Sequence, residues 1–315
     1  MAITSAFSMP SRRELICAIA AIALWLGVTA AFVGLRPEHG LLAFAMLALF
    51  IPSAPSRRLV VALLPFFVFG VSYDWMNIVP NYTVNPVDVA GIYNAEKALF
   101  GITDAAGAVL TPNEFFALHH CSAMDFMAGV FYLCWVPVPI IFGIWLYYKG
   151  LRTAYLHFAL VFLLVNLLGF AVYYVHPAAP PWYVASHGFD AIPGTLGEVA
   201  GLGRFDDITG LGIFHGLYSR NANVFAAVPS LHSAYTFVAL LYALRYHSSK
   251  AWIAAFAVIT VGIWFTAVYT SHHYIIDVLA GIACAIIGYI IFEYAIAIIP
   301  AVKRALARYA AYISA

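Results

Sequence analysis

Apolar residues in this chain come in long, nearly unbroken runs rather than in the alternating stripe of a helix resting on a soluble core. Runs long enough to cross roughly 30 Å of hydrocarbon fall near residues 15 to 34, 41 to 52, 59 to 79, 124 to 148, 153 to 174, 229 to 246, 251 to 270 and 274 to 299. Each predicts a membrane-spanning helix, and the short second run stops at Pro52. The first is longer than a typical signal core and is followed by further spans, so it is expected to stay as an anchor. Two polar stretches, 80 to 123 and 175 to 228, separate the spans. In the first, Asp88 to Phe100 reads as a short helix closed by Gly101. Thr111, Pro112 and Glu114 then mark a helix start of the capping-box type. Phe115, Phe116 and Leu118 place that helix either in the membrane interface or over the spans. The second stretch is dense in Pro and Gly and reads as a long loop, with Trp182 and Tyr183 as headgroup-level belt residues.

Composition makes the membrane reading firm. Hydrophobic residues are 64% and charged residues 9%, against roughly a quarter charged in a soluble domain. The net charge is +1 and no basic cluster points to nucleic acid. Cys17, Cys121, Cys134 and Cys284 have neither the spacing of a zinc site nor that of a disulfide framework. Charge also orients the chain. With the N-terminus in the cytoplasm, only Arg36, Lys97, Arg204 and Arg220 of the 15 basic residues fall outside. Both termini are then cytoplasmic, and His232, His273 and Asp277 meet on the periplasmic or lumenal side.

Those three residues carry the candidate chemistry. His273 and Asp277 are spaced i, i+4, so on a helix they share a face and the carboxylate can orient the imidazole. His272 is i, i+5 from the same aspartate and is expected to point elsewhere. His232 follows Pro229 and Ser230 at the start of another apolar run. Ionisable groups are expensive in such surroundings, which makes a reaction centre the first hypothesis. Phosphoryl transfer needs a nucleophile, a proton donor and something to hold the phosphate oxygens. His273 suits the first role and His232 the second, while Ser230 and free N–H groups at the helix start suit the third. A transporter or scaffold using the trio for binding is the competing class, but no inverted repeat or pair of broken helices is visible.

The histidine of PSLHS and the pair His273-x-x-x-Asp277 resemble the last two motifs of the type-2 phosphatidic acid phosphatase superfamily. The resemblance implies an all-α polytopic membrane protein. Its six-helix core of the phosphatase type would carry about two added N-terminal transmembrane helices, interfacial helices and a long outer loop. It further implies a phosphohistidine on His273, Asp277 in support, His232 as acid and base, and neither metal nor cofactor. Two departures stand out: His176-Pro177 sits where Lys-x6-Arg-Pro would end, and Ala267 replaces the arginine six residues before the nucleophile. The runs HPAAPPWY, GLGRFD, NVFAAVPSLHSA and YTSHHYIIDVLAG, with YNAEKALFGI upstream, are similar to the inositol phosphorylceramide synthases of fungi and their bacterial relatives.

That branch implies movement of phosphoinositol from phosphatidylinositol to ceramide or a related lipid alcohol. The alternative is a lipid phosphatase acting on phosphatidic acid, a prenyl phosphate or a phosphoinositol lipid. A phospholipid donor and a lipid-alcohol acceptor are thus the expected partners. Arg204 is the leading candidate for the missing phosphate ligand, against a loop salt bridge to Asp206 or Asp207, and Arg220 is the next. Asp74 and Asp125 are candidates for contact with a polyol, and Glu293 is expected to snorkel toward Lys303 or Arg304. The chain divides into N-terminal transmembrane helices (1–58), a membrane-embedded catalytic domain (59–300) and a short basic tail (301–315).

Overall fold

The computed structural model describes residues 8–218 and 223–314. In chain order the helices begin with α1 (Arg12–Phe32), α2 (Pro37–Phe50), α3 (Ala54–Ala62) and α4 (Leu64–Trp75). Then follow α5 (Ala90–Phe100), α6 (Pro112–Leu118), α7 (Ser122–Leu133), α8 (Pro137–Tyr148) and α9 (Arg152–Val175). Three short helices, α10 (Pro181–His187), α11 (Gly203–Thr209) and α12 (Ile213–Tyr218), precede α13 (Leu231–Arg245), α14 (Lys250–Tyr269), α15 (Ile275–Ile290) and α16 (Pro300–Ser314). A two-residue hairpin pairs Ile102–Thr103 with Val109–Leu110 between α5 and α6.

Among the described residues four helices are long and apolar enough to cross a membrane: α1, α9, α14 and α15 with its π-helical extension to Ile296. The number rises to six if each bent pair is one span, α3 with α4 at 46° and α7 with α8 at 41°. Proline accounts for both bends. Pro65 and Pro137 open the second member of each pair, where the missing N–H costs nothing but the helix before it cannot continue unbroken. The run at 229–246 forms only the 15-residue α13, roughly 22 Å long at 1.5 Å per residue. It is enclosed by α8, α9, α14 and α15. Ala234, Val238, Ala239, Tyr242 and Ala243 on α13 have no exposed surface.

Several features differ from the reading of the bare sequence. The stretch 175 to 228 holds three short helices, because Pro181 starts α10 and left-handed Gly210 closes α11. Trp182 is 6% and Tyr183 0% exposed. Both are therefore packed inside, with the Tyr183 hydroxyl held between the Asp190 carbonyl and the Ile192 N–H. Glu293 does not reach toward the C-terminal basic residues. It accepts from Tyr242 and pairs with His157 and Arg245, so two other helices, α9 and α13, share its charge. The basic tail forms α16, which packs on α3 and α9 and donates a hydrogen bond from Tyr309 to the Val61 carbonyl. The capping box at Thr111 and Glu114 is formed as expected.

The outer segments are laced to one another before they reach the site. Asp88, Ala178 and Ala226 lie side by side as single parallel bridges. Asn81, fully buried, donates to the carbonyls of Tyr173 and Phe225. Helices α13 and α15 touch where Gly281 faces the Ser230 carbonyl, and a Cβ at Gly281 would overlap that oxygen. Gly281→Ala is therefore expected to destabilise the protein by about 1–3 kcal/mol through overpacking. Gly27→Ala, where a Cβ meets nothing within 4 Å, should be neutral or slightly stabilising. Thermal unfolding in detergent checks the pair: equal melting temperatures would show that the α13–α15 contact is not the tight one.

Candidate active site

His273 sits on the turn between α14 and α15, and the turn is held from every side. Ser271 takes the left-handed conformation at φ 60, which costs a non-glycine residue on the order of 1 kcal/mol. The N–H groups of His272 and His273 both donate to the Ala267 carbonyl, at 3.1 and 2.9 Å. From α6, the buried Asn113 amide donates to the carbonyls of Val268 (2.8 Å) and His273 (2.9 Å). Backbone N–H groups of Trp182 and Gly201 reach the carbonyls of Ser271 and Thr270. At the start of α15, Glu96 accepts from the N–H groups of Ile275 and Ile276, and Asp277 accepts from that of Tyr274. Two carboxylates thus occupy the positive end of that helix. Burial raises the Glu96 carboxyl above its usual range, and the two N–H groups offset only part of that.

The partners of His273 decide which nitrogen is free. Nδ1 lies 3.1 Å from the Ala227 carbonyl and 3.4 Å from the Asp277 carboxylate. A carbonyl can only accept, so Nδ1 carries the proton and Nε2 presents a lone pair. Nε2 lies 3.2 Å from Nδ1 of His232. In the neutral pair His232 therefore donates from Nδ1. Burial pushes His273 down to about 4, against the opposing pull of the Ala227 carbonyl.

His232 is the second residue of α13, whose N-terminus is fixed by several contacts. Ser230 caps it by accepting from Ser233, the Ser230 N–H donates to the Asp277 carbonyl, and Tyr173 donates to the Pro229 carbonyl. Trp135 meets the His232 ring edge-on at 4.6 Å. The two histidines open onto a 320 Å³ cavity walled largely by aromatic residues, among them Tyr73, Tyr132, Trp182 and Tyr218. Among the described residues lining it there is no Lys, Arg, Asp or Glu.

The sequence pattern of the PAP2 superfamily matches residues 108–291, more than half the chain. The chain belongs to the PAP2 superfamily. It is 58% identical over 305 residues to the phosphoinositol dihydroceramide synthase of Bacteroides thetaiotaomicron, covering 97% of this chain and 100% of that protein. It is 29% identical over 172 residues to the inositol phosphorylceramide synthase of Candida albicans, which covers 51% of this chain and 35% of that protein. It is also 33% identical over 132 residues to the inositol phosphorylceramide synthase catalytic subunit of Saccharomyces cerevisiae, covering 41% and 31% respectively. No solved structure matches.

Within the superfamily core the structure brings together His232, His273 and Asp277, while Ser230, Arg204 and Asp125 do not line the cavity. Ser230 is fully buried and its hydroxyl is engaged by Ser233. Arg204 pairs with Asp125 at 2.6 Å rather than with Asp206, which binds His215. Asp125 also accepts from Tyr269 and faces His120. Neither Arg204 nor Asp125 lines the cavity. Arg220 lies outside the described residues. The position without the superfamily arginine, Ala267, has no exposed surface. His272, expected to point away, faces the cavity instead, its ring 4.5 Å from that of Tyr218 and its Nε2 buried with no hydrogen-bond partner. Burial, then the neighbouring His273 and His232, hold it well below its ordinary value. Asn113 and Glu96 escaped the sequence reading, although the capping box beside the one and the YNAEKALFGI run around the other marked their helices. Among the described residues no group of three His, Cys, Asp or Glu side chains is arranged to hold a metal ion.

An imidazole with a lowered pKa keeps its lone pair to lower pH. The ordinary value is 6.5, so an unperturbed histidine would lose its nucleophilic form as the pH falls through about 6 to 7. His273 is expected to keep it to about pH 4 to 5. Single-turnover formation of the covalent phosphoenzyme, followed from neutral pH down to about 5, should show no loss with a midpoint near the ordinary histidine value. A loss centred there would show that His273 titrates as an exposed histidine.

Proposed function

We propose that this protein transfers phosphoinositol from phosphatidylinositol to a ceramide-type lipid alcohol, dihydroceramide in particular, through a phosphohistidine on His273. The observation that carries this reading is the end-to-end match at 58% identity with a phosphoinositol dihydroceramide synthase. In the first half-reaction His273 Nε2 attacks the phosphorus of the donor. The N–P bond forms, the P–O bond to diacylglycerol breaks, and His232, neutral in the ligand-free pair and carrying a proton taken up with the bound phosphodiester anion, protonates the departing oxygen. In the second half-reaction His232, now neutral, takes the proton of the acceptor hydroxyl. That oxygen attacks phosphorus and the N–P bond breaks. The 3.2 Å contact between the rings puts the proton donor beside the nucleophile and requires the incoming phosphoryl group to separate them. Asp277 and the Ala227 carbonyl hold Nδ1–H throughout.

The cavity favours transfer over hydrolysis. Its walls are aromatic, and the described lining residues include no cation. A phosphomonoester brings two negative charges that such a wall leaves uncompensated, whereas a phosphodiester brings one. Arg204 is neutralised by Asp125, and we assign this pair to holding α11 on α7 rather than to gripping phosphate. His272, with its free Nε2, is the better candidate for a donor or acceptor toward the headgroup. The membrane arrangement belongs to the same reading. Six spans form the core, with the pairs α3–α4 and α7–α8 and the short α13 each counted once, while α1 and α2 are added before it. The distribution of basic residues supports an arrangement with both termini in the cytoplasm and the cavity on the opposite face.

Purified protein given inositol-labelled phosphatidylinositol should form labelled inositol phosphorylceramide only when ceramide or dihydroceramide is added, as read by thin-layer or mass-spectrometric analysis. His273→Ala should abolish the product, and His232→Ala should lower it about 100-fold to 10,000-fold. Rapid release of inorganic phosphate from phosphatidic acid, with no transfer to any lipid alcohol, would replace the transferase by the phosphatase.

A further inference from the structure

A second, larger cavity of 530 Å³ lies between α1, α2, α3 and α4, outside the matched superfamily core that begins at residue 108. It is within the size range of ligand sites. Its character changes along its length. One end is polar, made by Arg36 and His39 at the start of α2 with Asp74 and Asn77 at the end of α4. Away from that end the wall on α2 continues through Leu42, Met46 and Leu49, one face of the helix over roughly 10 Å. Leu42, Leu49 and Leu63 on the rim are 44%, 43% and 37% exposed, so the cavity opens sideways where hydrocarbon would be. A polar end and an apolar trough parallel to the helices suit a lipid.

The polar end selects among lipids. Arg36 is already paired with Asp74 and with Glu38, and His39 lies 3.3 Å from the Asp74 carboxylate. The two carboxylates outnumber the single guanidinium, so an anionic phosphate has no surplus positive charge to meet. One group lacks any hydrogen bond, the indole N–H of Trp25, a lining residue only 6% exposed; the buried Oδ2 of Asp74 makes no well-formed one either and has only His39 Nε2 beside it at 3.3 Å. An unmade bond at such a position is costly. One donor and one acceptor together match a neutral headgroup of hydroxyl and amide. Tyr73 lines both this cavity and the reaction cavity, and is the wall they share.

We propose that this cavity binds the acceptor, a neutral lipid with an amide and a hydroxyl headgroup, and delivers it past Tyr73 to the phosphorylated His273. The assignment rests on the transferase reading, but binding here needs no turnover and is tested without it. Gly70 lines the cavity, and a Cβ there meets nothing within 4 Å. Gly70→Leu therefore sends a bulky side chain into the space from a Cβ that meets no neighbour.

The test is photolabelling of the full-length protein in detergent or nanodiscs with a diazirine-bearing ceramide, followed by peptide mapping. A diazirine-bearing phosphatidylinositol serves as the comparison. The ceramide probe should label α2 and α4 peptides in the wild type, excess unlabelled ceramide should compete, and the phosphatidylinositol probe should label there weakly. Gly70→Leu should remove that label and raise KM for ceramide about tenfold or more, with no such shift for phosphatidylinositol. Equal labelling of α2 and α4 by both probes would make the cavity a general lipid site and overturn the proposal. So would absence of ceramide label from those peptides, which is read in the wild type and so does not depend on the folding of the variant. Ceramide labelling of α2 and α4 in a protein that only hydrolyses phospholipid would leave the site standing and remove the transferase reading instead.

Discussion

One hydrogen bond, from Nδ1 of His273 to the Ala227 carbonyl at 3.1 Å, sets the chemistry of the whole centre. It fixes the tautomer, and the tautomer decides that the lone pair on Nε2 faces His232 and the cavity. Ala227 is itself held, its N–H donating to the Ala178 carbonyl, while Ala179 donates to Asp88. These segments, remote in sequence, thus act as a stack of extended backbone whose last carbonyl orients the His273 ring. Asp277 shares the same nitrogen at a longer 3.4 Å and also closes the first turn of α15. Its contribution is divided between orienting a side chain and capping a helix.

Around that bond the protein places groups that neutralise one another and leaves the reaction cavity without fixed charge among its described lining residues. Arg204 is matched to Asp125 and Asp206 to His215, and at the far end of α15 Glu293 is matched to His157 and Arg245. Buried pairs of this kind do little for net stability, but losing one member leaves an uncompensated charge. On the proposed reading the benefit is selectivity: an unbiased cavity would favour a singly charged diester and an uncharged alcohol over phosphomonoesters. The second cavity continues that design, since its ion pairs are closed among themselves and its unmet hydrogen bonds belong to neutral chemistry.

Much of this was legible in the sequence because it depends on local spacing. His273 and Asp277 do meet, with His273 on the turn just before α15 and Asp277 in its first turn, His232 stands in the first turn of α13, and Thr111 and Glu114 form the capping box that their spacing predicts. What was hidden depends on contacts across the chain. Asn113 reaches residues 155 and 160 positions away, and Glu96 caps a helix 179 residues later. Their identities carry no periodic signal. The Arg204 to Asp125 pair spans 79 residues, whereas the nearer Asp206 and Asp207 looked like the natural partners. Helical spacing from Asp277 would turn His272 away from the centre. The chain there is a turn through left-handed Ser271, so helical spacing does not apply. Trp182 and Tyr183 looked interfacial by type and are core by position, because α10 folds back under the loop that follows it.

The central claim is that Nε2 of His273, and no other atom, carries the phosphoryl group between donor and acceptor. The direct measurement is to trap the covalent intermediate with phosphatidylinositol in the absence of acceptor and identify the modified residue and ring nitrogen by mass spectrometry and phosphorus NMR. The account predicts phosphoinositol on Nε2 of His273. Modification on Nδ1, on His232 or on His272 would contradict it.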